Sequence, residues 1–353
     1  MATLSKDKNN SNIASLSHDG LPPSKSLWRD SFERLMRNRL AIVGLVVIIL
    51  MILMAIFAPI ISPHDYTDQS LLKTNAAPIW VIDLFPTMRA QGTENGYVKV
   101  VEANEYFLGT DPLGRDLLSR IIWGARVSLA VAFVGPLFAT IIGLTLGLIS
   151  GYFGGFTDNV IMRIVDTLYA FPTLLIIILM MAYFRSPAFA GAEAQGTIQG
   201  TLYLADRSLG GMLFIFIGIG ITSWLGLARL TRGQVLSIRE NEYILAARAQ
   251  GASNWQIITK HILPNIMGPL IVAETLTIPS YIRYEAFLSF IGLGVSPPTA
   301  SWGQMISEGA EYIGSFPHIA IFPAMALFLI MFAFNFLGDG LRDAFDPRLR
   351  GVD

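Results

Sequence analysis

Residues 240–265 read ENEYILAARAQGASNWQIITKHILPN, a stretch of moderate polarity between two long apolar runs. It is too apolar for a simple linker, so it should fold. Asn241 to Gln250 is rich in good helix formers and Gly251 is a typical C-terminal breaker. Ser253 or Asn254 suits a new N-cap, and Trp255 to Leu263 continues as helix. The pattern predicts helix, sharp turn, helix. The second helix is expected to set Trp255, Ile258 and Ile262 along one face, to be too short to cross a membrane, and to dock against something in the cytoplasm through Trp255.

What flanks this stretch sets the class. Of 353 residues 53% are hydrophobic and only 14% charged, whereas a soluble domain carries about a quarter charged residues. That excludes an ordinary globular enzyme. The net charge of -1 gives no general attraction to nucleic acid, and the absence of Cys removes thiolate catalysis and Cys-ligated metals. Six apolar stretches approach the roughly 20 residues that a bilayer core requires of a helix. They are Leu40–Ile61, Val127–Tyr152, Thr167–Phe184 with a possible extension back through Val160–Val165, Leu209–Ala228, Ile262–Ile282 and Ile319–Leu337. The expected fold is an all-α polytopic membrane protein of six transmembrane helices.

Charge asymmetry orients these spans. Arg232, Arg239, Arg248 and Lys260 occupy the connection between the fourth and fifth, whereas residues 285–318 hold no Lys or Arg, so the basic connection is expected in the cytoplasm with both termini. The organisation that follows is a cytoplasmic arm at 1–39, a first span at 40–61, an external loop at 62–126, a five-helix core at 127–338 enclosing the cytoplasmic stretch 240–264, and a cytoplasmic tail at 339–353. The arm has no early apolar stretch of the kind a cleavable signal needs, and residues 1–25 read as a disordered tail. Trp28–Arg39 reads either as a short helix lying on the membrane face or as an ordinary basic flank. Leu117, Leu118, Ile121 and Ile122 suit one face of an interfacial helix. Gly143, Gly147 and Gly151 form a small-residue stripe for close helix approach, and Pro136, Pro172, Pro279 and Pro323 mark kinks.

Glu274 is the carboxylate near the middle of a span, where an unpaired charge costs about 2.5–3.5 kcal/mol on insertion scales. Either it lines a translocation path and favours a peptide ammonium group, or it makes an interhelical hydrogen bond. Helical projection puts Glu285 near the same face and Arg283 opposite, and Tyr281 joins them in the candidate path. Asp166 and Arg163 are expected to anchor the third span. The four histidines, His18, His64, His261 and His318, lie in tail, loops or membrane edges, with no HExxH, so neither an intramembrane hydrolase nor a metal site is expected.

The run Glu242, Tyr243, Ala246, Ala247, Arg248, Ala249, Gly251 and then His261, Ile262, Leu263, Pro264, Asn265 resembles the EAA loop of permease subunits of ATP-binding-cassette importers. Two positions depart from that motif: Leu245 stands where Glu is usual and His261 where Ile is usual, as in the peptide and nickel branch. LGTDPLGRDLL from Leu108, GYFGGFTDNVIMRIVDTLYAFP from Gly151, EAFLSFIGLGVSPP from Glu285, SWG from Ser301 and LGDGLRDAFDPRLRG from Leu337 are similar to runs in the same branch. The resemblance covers about residues 35–351 and is greatest to the C-type permease subunit of oligopeptide importers.

The resemblance implies a coupling helix that sits in a groove of a separate ATPase, with Glu242, Tyr243, Ala246, Ala247, Arg248, Gly251, Ala252, Ser253, Trp255 and His261 as its coupling residues. It further implies a second homologous permease subunit, two cytoplasmic ATPase subunits, an external binding protein that delivers oligopeptide or dipeptide, and a bacterial or archaeal inner membrane. No GxxxxGK[ST] sequence occurs, so ATP and Mg are expected on the partner ATPases, with no cofactor on this chain and no catalysis by it. An ion-coupled secondary transporter and a nickel permease are the alternative readings.

Overall fold

A computed structural model describes residues 27–84, 91–94, 97–100, 106–189 and 196–346. The expected tail at 1–25 and the end of the C-terminal tail lie outside the described residues. In chain order the helices are α1 (Leu27–Leu35), α2 (Arg39–Ile56), α3 (Ala58–Ile61), α4 (Ile79–Leu84), α5 (Leu117–Phe138), α6 (Thr145–Phe153), α7 (Gly155–Tyr169), α8 (Thr173–Phe184), α9 (Ile198–Ser208), α10 (Leu213–Ile238), α11 (Glu242–Ala249), α12 (Asn254–Gln256), α13 (Leu263–Phe290), α14 (Trp302–Ala310) and α15 (His318–Phe345). π-helical stretches at Ala139–Leu144 and Ile257–Ile262 fuse α5 to α6 and α12 to α13. Two strands, β1 (Gln91–Glu94) and β2 (Tyr97–Val100), pair antiparallel in the loop before α5, a small departure from the all-α expectation.

Among the described residues five helical units are long and apolar enough to cross a membrane: Arg39–Ile56, Leu117–Phe153, Leu213–Ile238, Asn254–Phe290 and His318–Phe345. The pair α7 and α8 passes the same test together but bends by 77°. Val160–Val165 therefore does not extend the third span in a straight line. Pro172, the N-cap of α8, has no amide proton to continue α7 and disfavours helix at the residue before it.

Local chemistry explains the starts. Asn38 Oδ1 accepts from the Leu40 and Ala41 amides at 3.1 and 3.2 Å, and the Asp116 carboxylate accepts from Leu118 and Ser119 at 3.3 and 2.9 Å. Asp116 starts α5 and the helix runs on through Pro136, so Leu117, Ile121 and Ile122 are buried in the first turns of the same continuous helix that carries the second apolar run and do not form a separate helix. Charged Arg120 and Arg126 had shortened the apolar window. Arg120 is 1% exposed because its Nη1 pairs with Asp111 and, at 3.1 Å, with Glu308 Oε2. The fourth span likewise runs ten residues past Ala228, so Arg229 and Arg232 ride on α10, and α15 reaches Phe345, which puts Asp339, Arg342 and Asp343 on the helix.

α15 packs against α2 and α13, while α10 packs against α6. The glycine stripe makes the second contact: a Cβ at Gly143 would lie 2.7 Å from the Trp224 carbonyl oxygen and one at Gly147 2.6 Å from that of Ala228. α1 packs on α15 and carries the ion pairs Arg29–Glu33 and Arg34–Asp30 on its own surface.

Candidate functional site

The stretch 240–265 forms a bent joint at the end of the bundle where α10 stops and the fifth span begins. Glu242 opens α11, where a carboxylate complements the positive end of the helix dipole. The helix ends at Gly251, whose φ of +82° a side chain would resist. Ala252 donates its amide to the Ala247 carbonyl at 3.1 Å, which closes the turn. Ser253 then makes a capping box with Gln256: its amide donates to Gln256 Oε1 at 2.9 Å and its Oγ accepts from the Gln256 amide at 3.3 Å.

One side of the joint is dry. Ile244, Ile257 and Ile262 are fully buried and Ile258 nearly so, packed with Val235 of α10 and Tyr152 of α6. Tyr152 also donates its hydroxyl to Asn254 Oδ1 at 2.8 Å, and Arg239 Nη1 donates to the Gly151 carbonyl at 2.9 Å. The other side is open. Trp255 is 73% exposed, Leu245 49% and Tyr243 43%, and Glu242, Ala246 and Arg248 are exposed with them. Ala247, Ala252 and His261 are half-buried, and the His261 carbonyl accepts from Asn265 Nδ2 at 2.6 Å.

This corrects the expected second helix in two respects. It is not short, because α12, the π stretch and α13 run on without a break to Phe290. Nor do Trp255, Ile258 and Ile262 share a face, since Trp255 points outward and both isoleucines point in. The wider i to i+5 turns of a π helix advance each residue less around the axis, which carries Ile262 away from the azimuth of Trp255. Ile244 and Tyr152 are the residues that sequence reasoning missed. The one weak signal for Ile244 was a lone β-branched residue in a run otherwise rich in Ala.

Of the four candidate path residues, the structure brings two together. Tyr281 donates its hydroxyl to Glu274 Oε2 at 3.5 Å, and Glu274 is half-buried. Glu285 has the projected azimuth but is fully buried, accepting from Ser289 Oγ at 2.7 Å and Ser128 Oγ at 3.2 Å across to α5. It holds two helices together and faces no open surface. Arg283 is exposed on the other side of α13, beside Phe328 and Asn335 of α15, and donates to Ser280 Oγ at 2.9 Å. Asp166 ties α7 to α10 through Arg229 Nη2 at 2.5 Å, and Asp158 does so through both Arg232 nitrogens at 2.6 Å. Among the described residues no group of His, Asp and Glu is arranged to hold a metal ion.

Comparison with known proteins places this geometry. Residues 143–351, which include the whole joint and Glu274, match the family described as binding-protein-dependent transport system inner membrane component. Residues 26–78 match the N-terminal TM domain of oligopeptide transport permease C. The chain is 40% identical to the oligopeptide transport system permease protein OppC of Bacillus subtilis, over 93% of this chain and 92% of that one. It is 37% identical to the OppC of Escherichia coli, over 98% and 99%, and 39% identical to the dipeptide transport system permease protein DppC of Bacillus subtilis, over 93% and 88%. With most of its spans and the entire bent joint inside that match, the chain belongs to the family of binding-protein-dependent transport system inner membrane components.

Proposed function

We propose that this chain is a membrane-spanning permease subunit of an ATP-driven importer that moves oligopeptides or dipeptides delivered by an external binding protein. The observation that carries the reading is the joint at Gly251: a dry underside docked on the second and fourth spans through Tyr152 and Val235, and an outer face on which Tyr243, Leu245 and Trp255 stand exposed. Three large apolar side chains in water are costly unless a partner covers them, and an aromatic anchor at the exposed start of a helix suits a groove on another protein.

In this reading the joint faces the cytoplasm, the side to which its basic residues assign it. Two ATPase subunits, which bind ATP and Mg, close on ATP binding and draw the joints of this chain and a second permease subunit together. Ile244, Ile257 and Ile262 pass that displacement to α10 and α13, because a close-packed contact transmits movement without slack. Alternating access then follows as two arrangements of one bundle, biased by the ATPases. The chain itself catalyses nothing. Glu274, with Tyr281 against it, lines the path and favours the ammonium group of a peptide.

Two experiments test this. Purification of the complex from membranes, with identification of its companions and of the ligand carried by its external receptor, is expected to yield two ATPases and peptide; a complex without any ATPase overturns the reading. A Glu274→Gln variant is expected to slow uptake of peptides with a free amino terminus, and normal uptake of every peptide removes that role from Glu274.

A further inference from the structure

Beside Glu274 and Tyr281, α8, α10 and α13 enclose a cavity of about 300 Å³ to which the sequence drew no attention. That is the lower end of the size usual for ligand pockets, roughly 300–1,000 Å³. Its walls carry Thr222 and Ser223 from α10 and Thr277, Ser280, Tyr281 and Tyr284 from α13, and no charged side chain lines it. Tyr169 borders it where α7 breaks into α8, with the Arg229 guanidinium 4.2 Å from its ring centre.

Three of the hydroxyls in this wall have already given their protons to their own helices. Thr277 Oγ1 donates to the Ala273 carbonyl at 2.8 Å, Thr222 Oγ1 to the Gly218 and Ile219 carbonyls at 3.2 Å each, and Ser223 Oγ to the Gly220 carbonyl at 3.3 Å. A hydroxyl whose proton is held by its own helix still offers its lone pairs, so these three oxygens present acceptors and not donors. They sit on two helices that both line the cavity. A peptide amide stripped of water without a partner is costly, by roughly 1–3 kcal/mol on mutational scales.

We infer that this cavity reads the backbone of a passing peptide, with its amide N–H groups donating to the oxygens of Thr222, Ser223 and Thr277. The inference rests on the permease reading above and adds the chemical feature of the cargo that the path recognises. Because these three acceptors are neutral, the contact they make depends on the peptide N–H and not on side-chain charge. Glu274 serves the terminal ammonium group, whereas these hydroxyls serve the amides behind it.

The test compares tetra-alanine with its backbone N-methylated counterpart. The complete complex with its binding protein is reconstituted in vesicles, and uptake rates are scaled to the amount of assembled complex. The unaltered complex is expected to carry the N-methylated peptide about tenfold more slowly, as loss of one or two hydrogen bonds implies. In a Thr222→Val, Ser223→Ala, Thr277→Val variant the rate for tetra-alanine is expected to fall toward that of the methylated peptide, so that the ratio between the two approaches one. The single Thr277→Val variant, which keeps shape and volume, is expected to reduce the ratio in part and stands in if the triple variant does not assemble. The binding protein is common to every arm, so a changed ratio belongs to the permease. A ratio that keeps its unaltered value in the variants, or equal rates in the unaltered complex, overturns the inference while leaving the permease reading intact. An unaltered complex that carries no peptide under any condition overturns both.

Discussion

The two ends of the bundle solve opposite problems. At one end charge is hidden: Asp111 receives Arg115 Nε at 2.6 Å and Arg120 Nη1, and both arginines share Glu308, so that Arg115, Arg120 and Asp111 are almost inaccessible. Arg185 similarly gathers Asp206 at 2.9 Å and the carbonyls of Leu293 and Gly294. At the other end apolar surface is shown, with Trp255, Leu245 and Tyr243 in the open over a core of isoleucines. Charge that is buried and paired within the chain, through Arg120 Nη1 and Arg115, ties that end together from its own residues. The exposed Trp255, Leu245 and Tyr243 are the surface that the proposed ATPase groove would cover.

Breaking the hidden charge should have the largest effect on stability. Arg120→Met leaves Asp111 and Glu308 short of a cation in a buried site and is expected to destabilise the chain by about 3–5 kcal/mol, visible as a lowered unfolding temperature of the detergent-purified protein. Ile244→Ala opens a cavity beneath the joint, at a cost of about 2–4 kcal/mol. Its sharper sign is functional: if the joint couples the ATPases to the bundle as proposed, ATP hydrolysis by the complex should continue while peptide uptake per ATP falls. Gly251→Ala forces a side chain into a left-handed turn in which no neighbour obstructs the added carbon, so the strain is in the backbone alone, about 1–2 kcal/mol. Trp255→Ala should change stability least, within about 0.5 kcal/mol. It should nonetheless weaken capture of the ATPase by roughly 30-fold if Trp255 is an anchor worth about 2 kcal/mol. Equal stability losses in Arg120→Met and Trp255→Ala would erase the contrast between the ends.

The span positions and the joint were readable because their signals are local. A run such as Leu40–Ile61 without charge, a glycine after helix formers, and a serine three residues before Gln256 each act on neighbours along the chain. Errors fell where a local signal was ambiguous. Arg120 and Arg126 hid the first ten residues of the helix that carries the second apolar run, since a charged residue looks the same in sequence whether it is solvated or paired. Pro172 was correctly suspected of a kink, but its 77° bend depends on how α8 is held against α10. The hydroxyl pairs Thr222–Ser223 and Thr277–Ser280 were visible inside apolar runs, and that two helices each carry such a pair was the available hint of a shared cavity.

By itself the sequence determined where the apolar helices lie, where the chain turns at Gly251, and which family the chain resembles, because propensity, capping and hydropathy are properties of contiguous residues. Only the tertiary structure decided which side of the joint is dry, that Glu285 bridges to Ser128 across 157 residues and Arg115 to Glu308 across 193, and that α10 and α13 face each other with acceptor oxygens. Those features depend on the rotation of each helix about its own axis. The π stretches and close glycine contacts set that rotation, and it is settled only when the helices pack.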